Sequence, residues 1–373
     1  MSCEFDLSII IINWNSVDFL RKCLASVYAG TLGLKFQTIV VDNASFDGCG
    51  ELLGREFPGV IFIQSQENLG FAGANNLGFA HSKGRNILFL NPDTEVIGPA
   101  LEVMCLFLDS RGEAGAVGGK LLNSDLSIQT SCIQRFPSIL NQSLDFDFLR
   151  DLFPKSALWG TRPLFTNPAT PVPVEVISGA CLMAKRTVLE KVGGFSSDYF
   201  MYAEDVDLCY EIQQQGWKCY YVPQASVVHH CGRSSNSKPE KSFSAIMMRE
   251  STLKFMRKTK GKLYASAYRS STALVAAFRL LALSAVFLLT AGRLRRNSIK
   301  AALAKWVSIL RWAVGLEVWV KELERKPHER ADSVMVSPSP VTLSEAKNLR
   351  GSSQAAKITA ETLRPPKGAA DSG

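Results

Sequence analysis

Leu7-Ser8-Ile9-Ile10-Ile11-Ile12-Asn13-Trp14-Asn15 is the stretch that decides the architecture. Four consecutive isoleucines leave no polar face for solvent, so a strand over residues 7–12 must be buried on both sides. It ends abruptly in polar residues. The same pattern returns at 38–41, ending in Asp42-Asn43, at 60–63, and at 86–90, ending in Asn91-Pro92-Asp93-Thr94. Between these runs lie helical patterns: 18–28, with Phe19, Leu20, Cys23, Leu24 and Val27 on one face, then 48–57 and 72–81. Strands alternating with helices predict an α/β fold with a mostly parallel sheet and right-handed crossovers. In such open sheets the ligand lies beyond the carboxyl ends of the strands. Asn13-Trp14-Asn15, Asp42-Asn43 and Asn91-Pro92-Asp93 are therefore expected to converge on one crevice.

Composition frames this reading. The chain has 373 residues, 46% apolar and 20% charged, which excludes a disordered protein. One candidate spanning stretch excludes a polytopic membrane protein. Residues 1–238 carry a net charge of −6 and residues 241–311 a net charge of +14, so the two parts are expected to meet different partners. Nine cysteines, an odd number without C-x-x-C spacing, read as reduced thiols of a cytosolic protein. No basic segment precedes the first apolar run, so no export signal is expected.

Two phosphate cradles fail. No G-x-G-x-x-G follows the first strand, and the nearest P-loop match, Gly118-Gly119-Lys120, continues into Leu121 and has Ala114 where the first glycine belongs. A carboxylate at a strand end, Asp93, points instead to a divalent metal clamping a diphosphate.

The segments I-I-I-I-N-W-N, V-V-D-N-A-S-x-D, E-N-L-G-F-A-G-A-N-N-L-G and L-F-L-N-P-D-T resemble family 2 glycosyltransferases of the GT-A fold. So do S-G-A-C-L-M (178–183), V-G-G-F (192–195), Y-F-M-Y-A-E-D-V-D-L-C (199–209) and V-V-H-H-C-G-R-S-S (227–235), in an order similar to the bacterial rhamnosyltransferase-like branch. The resemblance covers residues 7–260. It implies a catalytic domain over 1–240, with a nucleotide-sugar-binding half to 118 and an acceptor-binding half from 119.

By that resemblance Asp93 is the last position of a D-x-D-type motif, here N-P-D with Asn91 first, and ligates Mg²⁺ or Mn²⁺. As residues alone, N-P-D-T is also an ordinary Asp/Pro turn. Asp42 and Asn43 match the pair that hydrogen-bonds base and ribose, although D-N-A-S-x-D is equally an Asx-turn capping the next helix. Asn13 and Asn15 flank Trp14, which either stacks on the base or fills the core. Asn68, Gly70 and Asn76 match the segment beside the nucleotide, Gly70 permitting a tight turn.

Glu204-Asp205-x-Asp207 precedes a helix over 206–215 stopped by Gly216, so Asp205 is expected in a first turn where the macrodipole favours its ionised form. The resemblance makes Asp205 the base that deprotonates the acceptor hydroxyl during inverting transfer, with Glu204 orienting acceptor or base. Asp207 reads as structural. His229 matches a histidine that ligates the metal in some members, with His230 as runner-up. Ser178-Gly179-Ala180 resembles the strand lining the acceptor side. Segment 129–173, with Trp159, matches least and reads as a lid or acceptor loop.

Residues 273–291 are nearly all apolar with Arg279 in the middle, long enough for a marginal span but costly to insert. Trp306, Trp312 and Trp319 suit a membrane interface. Residues 241–325 are expected to form amphipathic helices on the anionic inner leaflet, with a soluble helical hairpin as the alternative, and 326–373 a disordered tail. Nucleic acid is not an expected partner. Taken with the resemblance, this predicts a transferase moving a sugar, L-rhamnose from dTDP-rhamnose first, onto a cell-envelope glycan or polyprenyl-diphosphate-linked acceptor. A UDP-sugar donor (galactose, galactofuranose or N-acetylhexosamine) is the second reading and a silent sugar-nucleotide-binding subunit the third.

Overall fold

The structure, a computed structural model, describes residues 3–166, 168–230, 238–289, 296–317 and 334–336. The four expected strands are present as β1 (Phe5–Asn13), β2 (Phe36–Asn43), β3 (Ile61–Ser65) and β4 (Gly84–Leu90), linked by α1 (Val17–Gly30), α2 (Cys49–Glu56) and α3 (Gly70–Ala80). The chain continues through β5 (Thr94–Ile97), α4 (Ala100–Ser110), β6 (Ala114–Leu122), β7 (Ile133–Gln134), α5 (Ile139–Ser143), α6 (Asp147–Leu152), α7 (Arg162–Thr166), β8 (Val172–Val174), β9 (Val176–Ile177), β10 (Cys181–Lys185), α8 (Arg186–Val192), α9 (Glu204–Gln214) and β11 (Lys218–His229). Last come α10 (Lys238–Leu289), α11 (Arg296–Ala313) and β12 (Val334–Val336).

The main sheet runs β12-β3-β2-β1-β4-β10-β6-β11-β5, with β8 attached to β11. β1 pairs in parallel with β2 and β4, β2 with β3, and β6 with β11. β10 is antiparallel to both its neighbours, so the sheet is mixed but mostly parallel. Leu7, Ile9 and Ile11 belong to a core with Leu20 and Leu24 of α1 and Met104 of α4, while Ile10 and Ile12 join Ala72 of α3, Leu189 of α8 and Leu208 of α9. This two-sided burial is why β1 tolerates no polar alternation. The near P-loop Gly118-Gly119-Lys120 is strand, not cradle. A Cβ on Gly118 would lie 2.1 Å from Ile177 Cγ2, and one on Gly119 2.7 Å from the Ala225 carbonyl oxygen. The eight described cysteines are free, and all but Cys3 are buried.

α10 bends at Gly261, which has φ +86°, and its second half packs against α11. Its first half belongs to the catalytic unit: Phe255 shares a core with Phe195 and Leu208. The expected interfacial tryptophans are corrected. Trp306 and Trp312 are buried inside the helical hairpin, and Trp312 Nε1 donates to Glu250 Oε2 at 2.7 Å. Their rings face basic side chains of α10, so they serve packing rather than a headgroup layer. Trp319 lies outside the described residues. So does most of 326–373, of which Val334–Val336 pair antiparallel with β3.

Candidate active site

The parallel register sets Asn13 beside Asp42, so the ends of β1 and β2 lie together. Asn13, fully buried, donates from Nδ2 to Asp42 Oδ1 (3.0 Å) and Asp47 Oδ1 (2.9 Å). Asp42 also accepts from the Phe46 amide (3.0 Å), Gln64 Nε2 (2.8 Å) and the Ser45 hydroxyl. Burial would raise its pKa, but these donors outweigh burial and hold it below the ordinary carboxylate value. Asn43 accepts from the Leu69 amide (2.8 Å) and donates to Asn68 Oδ1 (3.0 Å), while Asn68 Oδ1 also accepts from the Gly70 amide (2.9 Å). Asp42 orders the turn after β2 and Asn43 holds the 68–70 loop, whereas the Asx-type bond at the start of α2 comes from Asp47, whose Oδ1 accepts from the Cys49 amide at 3.3 Å. Asp42, Asp47 and Cys49 bring ligand-type atoms within 4.8 Å of one another. This cluster is a scaffold rather than a metal centre. Asp47 Oδ2 already accepts from the Ser16 and Val17 amides, and burial pushes the Cys49 thiol far up.

Trp14 is exposed just beyond β1, which removes the core alternative, and Asn15 beside it is exposed with φ +52°. Asn76 is not brought to this group. Its amide is spent on the Phe195 backbone, donating to the carbonyl (2.7 Å) and accepting from the N–H (2.9 Å).

Past β4 the chain turns through Asn91-Pro92-Asp93 into β5, which pairs antiparallel with the end of β11 so that Thr94 faces His229. This pairing carries two sequence-distant residues together. His229 Nε2 lies 3.3 Å from Asp93 Oδ1, and Asn91 Nδ2 lies 3.3 Å from the same nitrogen. His229 and Asp93 are both buried. His230 faces elsewhere, with Nδ1 on the Ser124 hydroxyl and Nε2 on Glu95 Oε1, each at 2.8 Å. A carboxylate oxygen and an imidazole nitrogen at this separation need a cation or a proton between them. The carboxylate is an oxygen donor that suits Mg²⁺ and Mn²⁺ alike, and the imidazole beside it suits the softer Mn²⁺ better than Mg²⁺, so the pair fits a divalent ion. A residue that sequence reasoning missed stands behind it: Gln129, buried, whose Oε1 is 2.7 Å from His229 Nδ1. It lies in the segment with the weakest family match, and no periodicity marks it.

The acidic cluster opens α9. Tyr202 (φ +69°) and Ala203 (φ +60°) are left-handed without being glycine, a cost of about 1–2 kcal/mol each that functional sites commonly carry. Asp205 Oδ2 accepts from the Gly179 amide and Oδ1 from the Val206 amide, both at 2.8 Å, which fixes the carboxylate at the helix N-terminus. Glu204 is buried, and its Oε2 has no hydrogen-bond partner among the described residues. Burial and the neighbouring Asp205 push Glu204 up to about 8, and burial raises Asp205 against its backbone donors. Asp207 is turned away, bonded to Lys258 Nζ of α10 at 2.8 Å. Ser178-Gly179-Ala180 is the turn entering β10 rather than a strand. It joins the two clusters: Gly179 donates to Asp205, and the next carbonyl, of Ala180, accepts from the Asn91 amide at 3.0 Å. The Phe200 carbonyl accepts from the Phe71 amide (2.9 Å), closing the loop before Glu204 onto α3.

Comparison with known proteins supplies the family and the fold. The model of glycosyl transferase family 2 matches residues 8–193, and that of glycosyl transferase family group 2 matches 151–320. The chain is 29% identical over 246 residues to the N-acetylglucosaminyl-diphospho-decaprenol L-rhamnosyltransferase of Mycobacterium tuberculosis, covering 62% of this chain and 78% of the relative. It is 24% identical to rhamnosyltransferase WbbL of Escherichia coli, covering 63% of this chain and 87% of that one. Among solved structures, mannosyltransferase PcManGT from Pyrobaculum calidifontis, in complex with GDP-Man and Mn²⁺, superposes with a TM-score of 0.56 at 18% identity over 85% of this chain and 88% of that one, a likeness of fold. From the strand-end turns to the acid-headed α9, this chain is a glycosyltransferase belonging to family 2, in its rhamnosyltransferase-like branch.

Proposed function

We propose that the protein is an inverting, divalent-metal-dependent transferase that moves L-rhamnose from dTDP-rhamnose to a polyprenyl-diphosphate-linked glycan at the inner face of the cell membrane. One observation carries the reading. Through Gly179 and Ala180, the Asp205 carboxylate is tied by two successive hydrogen bonds, the first to a backbone amide and the second between backbones, to the Asn91–Asp93 turn, so base and metal-type ligands flank one junction of β4 and β10. A metal held by Asp93 Oδ1 and His229 Nε2 would neutralise the departing diphosphate. Asp205 takes the proton of the acceptor hydroxyl as its oxygen bonds to the anomeric carbon and the bond to the diphosphate breaks on the opposite face. The raised affinity of the Glu204–Asp205 pair for a proton suits a group that must hold one briefly and release it to water. The sugar is suggested by the names of the two rhamnosyltransferase relatives and the polyprenyl-diphosphate acceptor by the first of them, while dTDP as the carrier comes from the family resemblance.

Membrane attachment is supported by an exposed apolar row on α10, Leu274, Phe278, Leu281 and Leu288, beside the +14 charge of 241–311. Arg279 does not interrupt that row. Its guanidinium stacks on Phe146 (3.7 Å) and Trp306 (4.2 Å) and donates to the Asp145 carbonyl (2.6 Å).

The test is a panel of dTDP- and UDP-sugars with Mg²⁺ or Mn²⁺, read as free nucleoside diphosphate, followed by mass spectrometry of the glycolipid product. Release from dTDP-rhamnose is expected. Release from a UDP-sugar alone replaces the donor, and none from any donor leaves the silent subunit. Asp205→Asn should lower kcat by about 10²–10⁴-fold with donor binding retained; a wild-type rate would remove Asp205 as the base.

A further inference from the structure

Gln129 occupies an unusually determined position, and its orientation follows from hydrogen-bond polarity alone. The determination starts at Asp125, whose carboxylate only accepts. The Ser127 hydroxyl gives its proton to Asp125 Oδ1 at 2.6 Å, so its oxygen accepts from Asn123 Nδ2 at 2.8 Å. That fixes the Asn123 amide, leaving its Oδ1 to accept from Gln129 Nε2 at 3.0 Å. The other Gln129 Nε2 proton points to the His229 carbonyl at 3.3 Å, which also only accepts. With its NH₂ end spent on two acceptors, Gln129 must turn Oε1 toward the imidazole, 2.7 Å from Nδ1. An oxygen without a hydrogen can meet Nδ1 only if Nδ1 carries one.

We propose that Gln129 is a positioning residue that holds His229 in the Nδ1–H tautomer, leaving the Nε2 lone pair bare and aimed at Asp93 Oδ1 for a divalent cation. The inference rests on the metal reading above and assigns the residue that prepares the ligand. Other features of the site agree with it. Asn91 Nδ2, a donor, approaches Nε2 at 3.3 Å, as it should if that nitrogen accepts. His230 next door has both ring nitrogens engaged, by Ser124 and Glu95. The relay belongs to the segment between β6 and β7, so a loop with no carboxylate or histidine at the ion sets the ion's ligand.

The experiment has two readouts besides turnover. Long-range ¹H–¹⁵N correlation spectra should show His229 protonated at Nδ1 in both the metal-free and the Mg²⁺-loaded protein, with Nε2 sharing a proton with Asp93 when metal-free and bare when Mg²⁺ is bound. A wild type whose Nδ1 carries no proton overturns the proposal without any variant. Titration with Mn²⁺ alone, followed by the electron paramagnetic resonance of the free ion, should give Gln129→Leu about 10–100-fold weaker binding. His229→Ala should lose at least as much, and Gln129→Leu added to His229→Ala should cost nothing further. Binding of Gln129→Leu within twofold of wild type overturns the proposal, as does a full additional loss in the double variant. A wild type that takes up no Mn²⁺ overturns the metal reading, while the spectrum still judges Gln129 separately.

Discussion

At Gly70 a single hydrogen atom decides whether the acceptor and donor sides can meet. With φ +70° and a would-be Cβ only 2.2 Å from the Phe200 carbonyl oxygen, Gly70→Ala must either unwind the start of α3 or push the 199–203 loop away. A cost of about 2–4 kcal/mol is expected from left-handed strain plus overpacking. Thermal melting reads it, and an unchanged melting temperature would contradict this contact. Glu204 gives a second expectation, in pH. Folding raises its pKa from 4.5 to about 8, so its ionised form is penalised in the folded protein. Stability is whole below the unfolded value and is lost as pH climbs through the folded one, by about 1.4 kcal/mol per unit at most. Glu204→Gln lacks that loss. Its melting temperature should pull ahead of wild type between pH 5 and pH 8.5 and match it near pH 4. A gap that stays constant with pH would mean Glu204 is not desolvated.

Between elements, the instructive joint is that of α9 with α10. Lys258 reaches from α10 to Asp207 (2.8 Å), in the same first turn of α9 as the Glu204–Asp205 pair, and to Glu211 (2.7 Å), one turn further on. Tyr199 OH adds a bond to Asp207 at 3.3 Å. Lys258→Met leaves Asp207 buried without its cation. Because the lysine is more than a third exposed, solvent screening reduces the usual buried-pair penalty to about 1–3 kcal/mol. A thermal melt several degrees lower is expected, together with a fall in transfer rate, since Asp205 shares that helical turn; a normal melt would make the bridge decorative. Elements of this kind show where sequence reading stops. The strands β1, β2 and β4 were legible because burial on both faces leaves an uninterrupted apolar run. β6 was not, because Gly115, Gly118 and Gly119 make room for Trp217, Ile177 and Ala225, and glycine erases the apolar signal. β11 was half legible, since Pro223 and Gln224 sit where its pairing with β6 shifts register. Asp93, Asp205 and His229 could be named from motif order, but Gln129 and Lys258 act through contacts 100 and 51 residues away that no local pattern announces.

At the scale of the whole molecule, charge and apolar exposure fall on the same part of the chain. The region 1–238 is net negative, and the strongly positive region 241–311 contains the one described helix that length and composition would allow to cross a membrane. Very little of that helix's most apolar window is buried against protein. Lying on an anionic surface would satisfy both features, because the lysines and arginines would meet headgroups while the row 274–288 entered the acyl boundary. Two dependences follow that a purely apolar or purely ionic contact would not show together. Binding to phosphatidylglycerol vesicles should weaken by more than tenfold between about 0.05 and 0.5 M salt, as the Debye length shrinks from more than 10 Å to under 5 Å. Leu281→Glu combined with Leu288→Glu should also release the protein at low salt, because each exposed leucine contributes about 1.5–3 kcal/mol when buried. Both side chains are exposed in the free protein, so the melting temperature of this double variant should not move. Equal binding to neutral phosphatidylcholine vesicles would reject the electrostatic half of this account. Undiminished binding by the double variant would reject the apolar half.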